Sequence, residues 1–283
     1  MPLRLWHLAS LDAPTVALIW SLAFAWVAGV RLQPWAPVAL ALITWAVYIA
    51  DRLLDARAGM QSPPRHLLRE RHYFHWRYRR VLAPIGLLAA TAAAPLVITR
   101  LPAAARLPDS ALAAATLVYF SGVHARLRIF PDIRRLALPF RSRAFLIGAI
   151  FTAACLLPVA SQMAHTRTLP AAGPLASPAL FFGVLAWLNC RAIGRWESAP
   201  EFSLEANDGP LTCAWMVAIA GALLALCLAG AEPRASMLVA AGTASALLLG
   251  VLDRFRNRLT PMALRAAADL VLLTPALLLR LPQ

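Results

Sequence analysis

Two carboxylates, Asp51 and Asp55, stand four positions apart in WAVYIADRLLDARAG, residues 45–59, where a long apolar run ends. On a helix that spacing puts both on one face, with Cβ atoms roughly 6 Å apart. Like charges so placed repel by about a few tenths of a kcal/mol in water, and more where water is scarce. A divalent cation would remove that repulsion. Mg²⁺ suits a carboxylate pair that shares it with substrate phosphates, because it keeps waters and rarely takes an all-protein cage. Pairing with Arg52, Arg57 or Arg71 would remove it equally well, and the spacing alone does not choose between the two.

A second group of candidates lies in LNCRAIGRWE, which runs from Asn189 towards Glu197. Eight residues rise about 12 Å along a helix, so the two share a broad face. Asn189 at the mouth of an apolar segment can ligate a metal or bond a ligand. It can also bridge two helices, a contact worth about 0.6–2 kcal/mol. Arg141 and Arg143 open an earlier apolar segment in LPFRSRAFLIG, and Arg191 and Arg195 lie between Asn189 and Glu197. A guanidinium grips phosphate through two parallel hydrogen bonds, yet each of these also serves as a plain membrane-edge anchor. His72 and His75, in RHYFHWRY, lack a third ligand at metal spacing and read as headgroup or solvent contacts. Tyr119 and His124 are candidates to line a cavity. Asp253 is expected to pair with Arg254 or Arg256. Asp269 falls inside the last apolar segment, where an unpaired carboxylate costs about 2.5–3.5 kcal/mol. It should therefore turn into the protein, towards Arg265.

These residues need a frame to hold them. Of 283 residues 60% are hydrophobic and only 14% charged, against about half and about a quarter in a soluble domain. The excess gathers in nine runs, near 13–31, 35–53, 81–99, 109–124, 144–161, 176–194, 211–230, 235–253 and 263–281. A membrane helix needs about 20 residues, and uniform Ala/Leu-rich runs of that length fit helices rather than barrel strands. The reading is an all-α integral membrane protein, a nine-transmembrane-helix bundle forming one domain over 1–283. Signal-peptide removal at AFA, 23–25, is not expected, since the apolar run continues to Val30.

The formal charge is +14, with no lysine at all. When the runs are taken as alternating crossings, twenty-one arginines fall on the side of the N-terminus and six on the other. That bias makes the first side cytoplasmic, with loops at about 51–80, 125–143, 189–210 and 254–262. The basicity is thus a topology signal and calls for no nucleic acid. Past Pro63-Pro64 the first loop reads as a short basic amphipathic helix, with Leu67, Phe74 and Trp76 placed for the headgroup region. The cysteines, Cys155, Cys190, Cys213 and Cys227, have no metal-ligand spacing and read as small buried hydrophobes.

Nine helices, acids at the cytoplasmic ends of spans two and six, and Arg before span five together resemble the UbiA-type intramembrane prenyltransferases. In that family an Asn-Asp-x-x-Asp-x-x-x-Asp motif follows helix two, and a second aspartate-rich motif follows helix six. The matching window here is VYIADRLLD: Asp51 and Asp55 fill the last two acid positions, while Val47 and Tyr48 replace the Asn and the first Asp. The second window offers Asn189, Ile193 and Glu197.

The resemblance implies a cytoplasmic-side polar cavity. It implies Mg²⁺ held by Asp51, Asp55 and Glu197, with the diphosphate contacted by Arg141, Arg191, Arg195 and Asn189. It also implies a membrane transferase that moves an isoprenoid from a prenyl diphosphate donor to a lipophilic, commonly aromatic, acceptor. The missing first acid leaves open a scaffold that binds an isoprenoid or other lipid without catalysis. A transporter would need a polar path, against which few intramembrane charges and no visible repeat count.

Overall fold

The computed structural model describes residues 2–61, 69–124, 140–166, 173–197 and 209–281. Every regular element in them is helical. The helices are α1 (Pro2–Leu8), α2 (Asp12–Ala28), α3 (Trp35–Gln61), α4 (Glu70–Arg77), α5 (Arg79–Arg100) and α6 (Ala103–His124). They continue with α7 (Phe140–Thr166), α8 (Gly173–Glu197), α9 (Gly209–Leu228), α10 (Pro233–Arg254) and α11 (Pro261–Leu270). The last runs directly into a 3₁₀ segment, Val271–Arg280.

Among the described residues six helices are long and apolar enough to cross a membrane: α3, α5, α7, α8, α10, and α11 taken with its 3₁₀ continuation. The α1–α2 pair, bent by 92° at its corner, makes a seventh if counted as one span. The chain is therefore an integral membrane protein. Each of the nine apolar runs is helical, but two lie in helices outside this set. One is α6, whose first half carries Arg106 and Asp109, and the other is α9, whose described apolar stretch, Thr212–Leu228, is shorter. Outward faces support the membrane setting. Leu87, Leu88 and Ile98 on α5, Leu117 and Val118 on α6, and Ile219, Leu223 and Leu226 on α9 are all exposed. Apolar exposure on that scale suits lipid, not water.

The core forms around α2. Its Trp20 and Phe24 are fully buried, and Trp20 stacks on Phe182 of α8 with ring centroids 4.0 Å apart. Around α2 pack α3, α7, α8, α10, α11 and the 3₁₀ segment; α5 lies on α3, α6 on α7 and α9 on α10. Small residues set the closest approaches, as expected where lipid offers no drive to push helices together. A Cβ on Gly221 of α9 would sit 2.3 Å from Thr243 Oγ1 and 2.5 Å from Phe181 Cζ. At Gly242 it would meet Phe181 Cε1 at 2.8 Å.

Pro275 explains how the final span is held. Lacking an N–H, it leaves the Val271 carbonyl without its α-helical partner and the Leu272 carbonyl without its 3₁₀ partner. In a bilayer such groups must find donors inside the protein. Ser245 Oγ donates to the Val271 carbonyl at 2.7 Å, and Trp20 Nε1 to the Leu272 carbonyl at 2.9 Å. Thr274 Oγ1 in turn donates to the Ala241 carbonyl at 2.7 Å, so the segment is tied to α10 as well.

Trp20→Phe keeps the ring and removes the donor. It should destabilise the detergent-solubilised protein by about 1–3 kcal/mol, the range for a buried acceptor left unmet. Gly221→Ala should cost about 1–3 kcal/mol through overpacking against Phe181 and Thr243. Thermal unfolding of both variants checks the two values.

Candidate functional site

A cavity of about 710 Å³ lies between α3, α6 and α7 and reaches the end of α5. Along α3 it is lined from Trp35 to Asp51, and along α7 from Arg143 to Gln162. At 1.5 Å per residue it therefore extends about 24 Å, close to the thickness of a bilayer core. The walls between are mainly apolar, including Leu40, Ile43, Leu117, Phe120, Ile147 and Phe151. Polar groups mark the two ends. Asp51, Tyr119 and Arg143 stand at one, and Gln33, Arg100 and Gln162 at the other.

The Asp51 end comes from three helices. Helical spacing puts Asp55 on the face of Asp51, one turn on. Arg143 Nε donates to Tyr119 Oη at 3.0 Å, and its guanidinium feels both carboxylates. Arg52 points away from them because one residue turns a helix by about 100°. It is 2% exposed, stacks over Tyr48 with the guanidinium 4.7 Å from the ring centroid, and approaches Asp12 Oδ2 at 3.5 Å. Arg71 is committed to Glu197. Two of the arginines read from sequence as partners for Asp51 and Asp55 are thus engaged elsewhere. Val47 and Tyr48 line the cavity.

Glu197 lies in a different setting. It does not line the cavity, and its carboxylate is shared by Arg69, Arg71 and Arg265, the last at 2.6 Å. Three cations converge on one carboxylate, and Arg69 Nη2 also donates to the Glu197 carbonyl at 2.7 Å. Asn189 bridges helices: its Nδ2 donates to Asp269 Oδ1 at 3.1 Å, joining α8 to α11. Asp269 does turn into the protein, but its hydrogen bond is to Asn189 rather than to Arg265, which goes to Glu197. Asp253 accepts from Arg256 as expected, at 3.3 Å, and also from Trp196 Nε1 at 2.6 Å. Arg191 stacks on Trp187 with 5.5 Å to the ring centroid, and Arg195 occupies the last turn of α8. The side chain of Arg141, like Leu67 and His124, lies outside the described residues.

Sequence reasoning missed a polar junction below the α1–α2 corner. Ser10 closes α1 in the left-handed region, φ +58, where glycine is the usual residue. Its N–H reaches the His7 carbonyl at 3.1 Å, and the Leu11 N–H reaches the Trp6 carbonyl at 3.1 Å. The hydroxyl justifies the strain: Ser10 Oγ meets His75 Nε2 at 3.0 Å, while His75 Nδ1 donates to the Arg71 carbonyl at 2.8 Å. The amphipathic helix α4 thus buries Arg71 and His75 rather than an apolar stripe. Its polar inner face was visible in sequence as arginine and histidine, but the partners lie far along the chain. Beside it, His7, Asp12 and Asp269 bring their side chains together.

Burial, opposed by the bond to the Arg71 carbonyl, lowers His75 to about 4. Burial and the neighbouring Arg71 and Arg69 lower His72 to about 4. Arg71 falls to about 10, chiefly through burial and the nearby Arg265. No protein-family model, curated protein or solved structure matches the chain.

A histidine whose folded value lies below its unfolded 6.5 takes up a proton on unfolding, between pH 6.5 and 4. Stability contributed by neutral His72 and His75 is complete above pH 6.5 and is lost as pH falls towards 4. The loss should reach about a few kcal/mol. Melting temperature followed from pH 7 to pH 4 should fall, and His75→Gln should flatten the slope.

Proposed function

We propose that the chain is a divergent intramembrane prenyltransferase that draws a prenyl diphosphate into the cavity between α3, α6 and α7. The observation that carries this is the slot itself, mainly apolar over roughly 24 Å, with Asp51, Arg143 and Tyr119 at one end. An isoprenoid chain fills such a slot with no polar group to satisfy it. Its charged head then falls beside Arg143, a planar cation suited to phosphate. In this reading the bundle crosses the membrane nine times, with the N-terminus and the Asp51 end cytoplasmic.

The donor set at that end fits one Mg²⁺. Asp51 and Asp55 offer two carboxylates on one helix face, and a phosphate-bound Mg²⁺ asks the protein for one or two. When bound, the ion would offset the charge that develops on the departing diphosphate. Arg143 orients the diphosphate and shares that charge, and Tyr119 holds Arg143 in place through its phenolic oxygen. Val47, Phe120 and Ile147 keep water from the allylic carbon while a lipophilic acceptor enters from the membrane. Asn189, Arg191, Arg195 and Arg141 remain proposed contacts for the head group, and Glu197 a proposed second-site ligand.

One observation favours a second reading, a scaffold that holds an isoprenoid without transferring it. Glu197 is already matched by three arginines, so a second metal would have to displace them.

Membranes bearing the protein should consume a prenyl diphosphate in the presence of Mg²⁺ and stop on chelation. Asp51→Asn, Asp55→Asn and Arg143→Leu should each lower turnover about 10²-fold or more. Radiolabelled donor, with organic extraction of the product, measures this. Mg²⁺-dependent retention of donor without diphosphate release would favour the binding scaffold, and unchanged turnover in the aspartate variants would remove the site assignment.

A further inference from the structure

The geometry points to a buried transition-metal site, of the zinc type, formed by His7 of α1, Asp12 of α2 and Asp269 of α11, with Asn189 of α8 beside it. One ligand atom from each of the first three lies within 4.8 Å of the others. His7 Nδ1 is 2.6 Å from Asp12 Oδ2 and 3.8 Å from Asp269 Oδ2. The side chains of His7 and Asp12 are wholly buried, and that of Asp269 is 11% exposed.

Their unmet valences converge. His7 Nδ1 meets Asp12 Oδ2, but His7 Nε2, Asp269 Oδ2 and Asn189 Oδ1 have no hydrogen-bond partner. Buried polar atoms are rarely left so, and an ion or a water is the usual reason. A proton on Nδ1 can serve only one of the two carboxylates facing it, and a cation serves both. Asp12 is prepared for that role, since its Oδ1 accepts from the Ala13 N–H at 3.0 Å, which leaves Oδ2 directed at His7. Asn189 Nδ2 bonds Asp269 Oδ1 at 3.1 Å and so brings its own Oδ1 into the same neighbourhood.

Charge supports a cation here. Arg52 approaches Asp12 Oδ2 at 3.5 Å, whereas among the described residues Asp269 has only His7 within ion-pair distance. Arg265, one turn before Asp269, makes its ion pair with Glu197. One imidazole with carboxylate oxygens matches Zn²⁺ and similar divalent ions, whereas Mg²⁺ takes oxygen alone. The site is buried, so the ion is structural. It would pin the α1–α2 corner to α11 and, through Asn189, to α8.

None of His7, Asp12 and Asp269 lines the cavity or takes part in the transferase reading, so the proposal stands apart from it. The full-length protein in detergent, stripped with a chelator, would be titrated with Zn²⁺ by calorimetry and analysed by elemental mass spectrometry. One equivalent should bind more tightly than micromolar and raise the melting temperature. His7→Gln and Asp269→Asn should weaken binding at least tenfold, while Asp51→Asn retains it. Absence of binding at micromolar Zn²⁺, or loss through Asp51→Asn instead, would overturn the site. Should the site variants fail to fold, X-ray absorption on the zinc-loaded wild type decides: one imidazole with oxygens supports the proposal, and a sulfur-containing or all-oxygen shell overturns it.

Discussion

An ionised group inside a helical bundle in lipid has to find its countercharge within the bundle, because the surroundings offer none. That constraint organises one end of this protein. Glu197 gathers Arg69, Arg71 and Arg265; Asp12 gathers His7 and Arg52; Asp269 takes Asn189 and faces His7. The pairs tie together α1, α2, α3, α4, α8 and α11, helices that apolar packing alone would leave free to slide. Breaking a buried pair from one side strands the other charge, at about 3–5 kcal/mol. The network therefore acts mainly through specificity: alternative packings would leave several charges unmatched at once.

The cavity follows from the same division of labour. The ion network gathers α1, α2, α3, α4, α8 and α11, whereas α6 packs mainly on α7. Between α3, α6 and α7 a gap remains, and its walls are mainly apolar. Charged residues stand towards its ends. An amphiphile with one charged head and a long tail has that same distribution of polarity.

The helical frame was legible in sequence because runs of about 20 apolar residues leave few alternatives. All nine runs are helical, and the borderline status of 109–124, with its polar ends, was visible from Asp109 and neighbouring residues. The shared face of Asp51 and Asp55 followed from spacing. Their neighbours did not. Arg52 is next in sequence to Asp51 yet serves Asp12, 40 residues away, and Arg71 serves Glu197 at a separation of 126. Side-chain partners are decided by which faces meet across helices, and hydropathy carries no such information. His7 and Asp12 drew no notice for the same reason, since neither shows a pattern until α11 brings Asp269 beside them.

The capping of the last span has a bearing on how the protein is made. Trp20 and the Leu272 carbonyl lie 252 positions apart, so the indole emerges from the ribosome long before its acceptor exists. Until then the central helix holds an unsatisfied donor, with the stacked Phe182 itself arriving only after most of the chain. A helix inserted early, α2, is thus among the last to reach its final packing. Maturation of the core waits on the carboxyl-terminal segment.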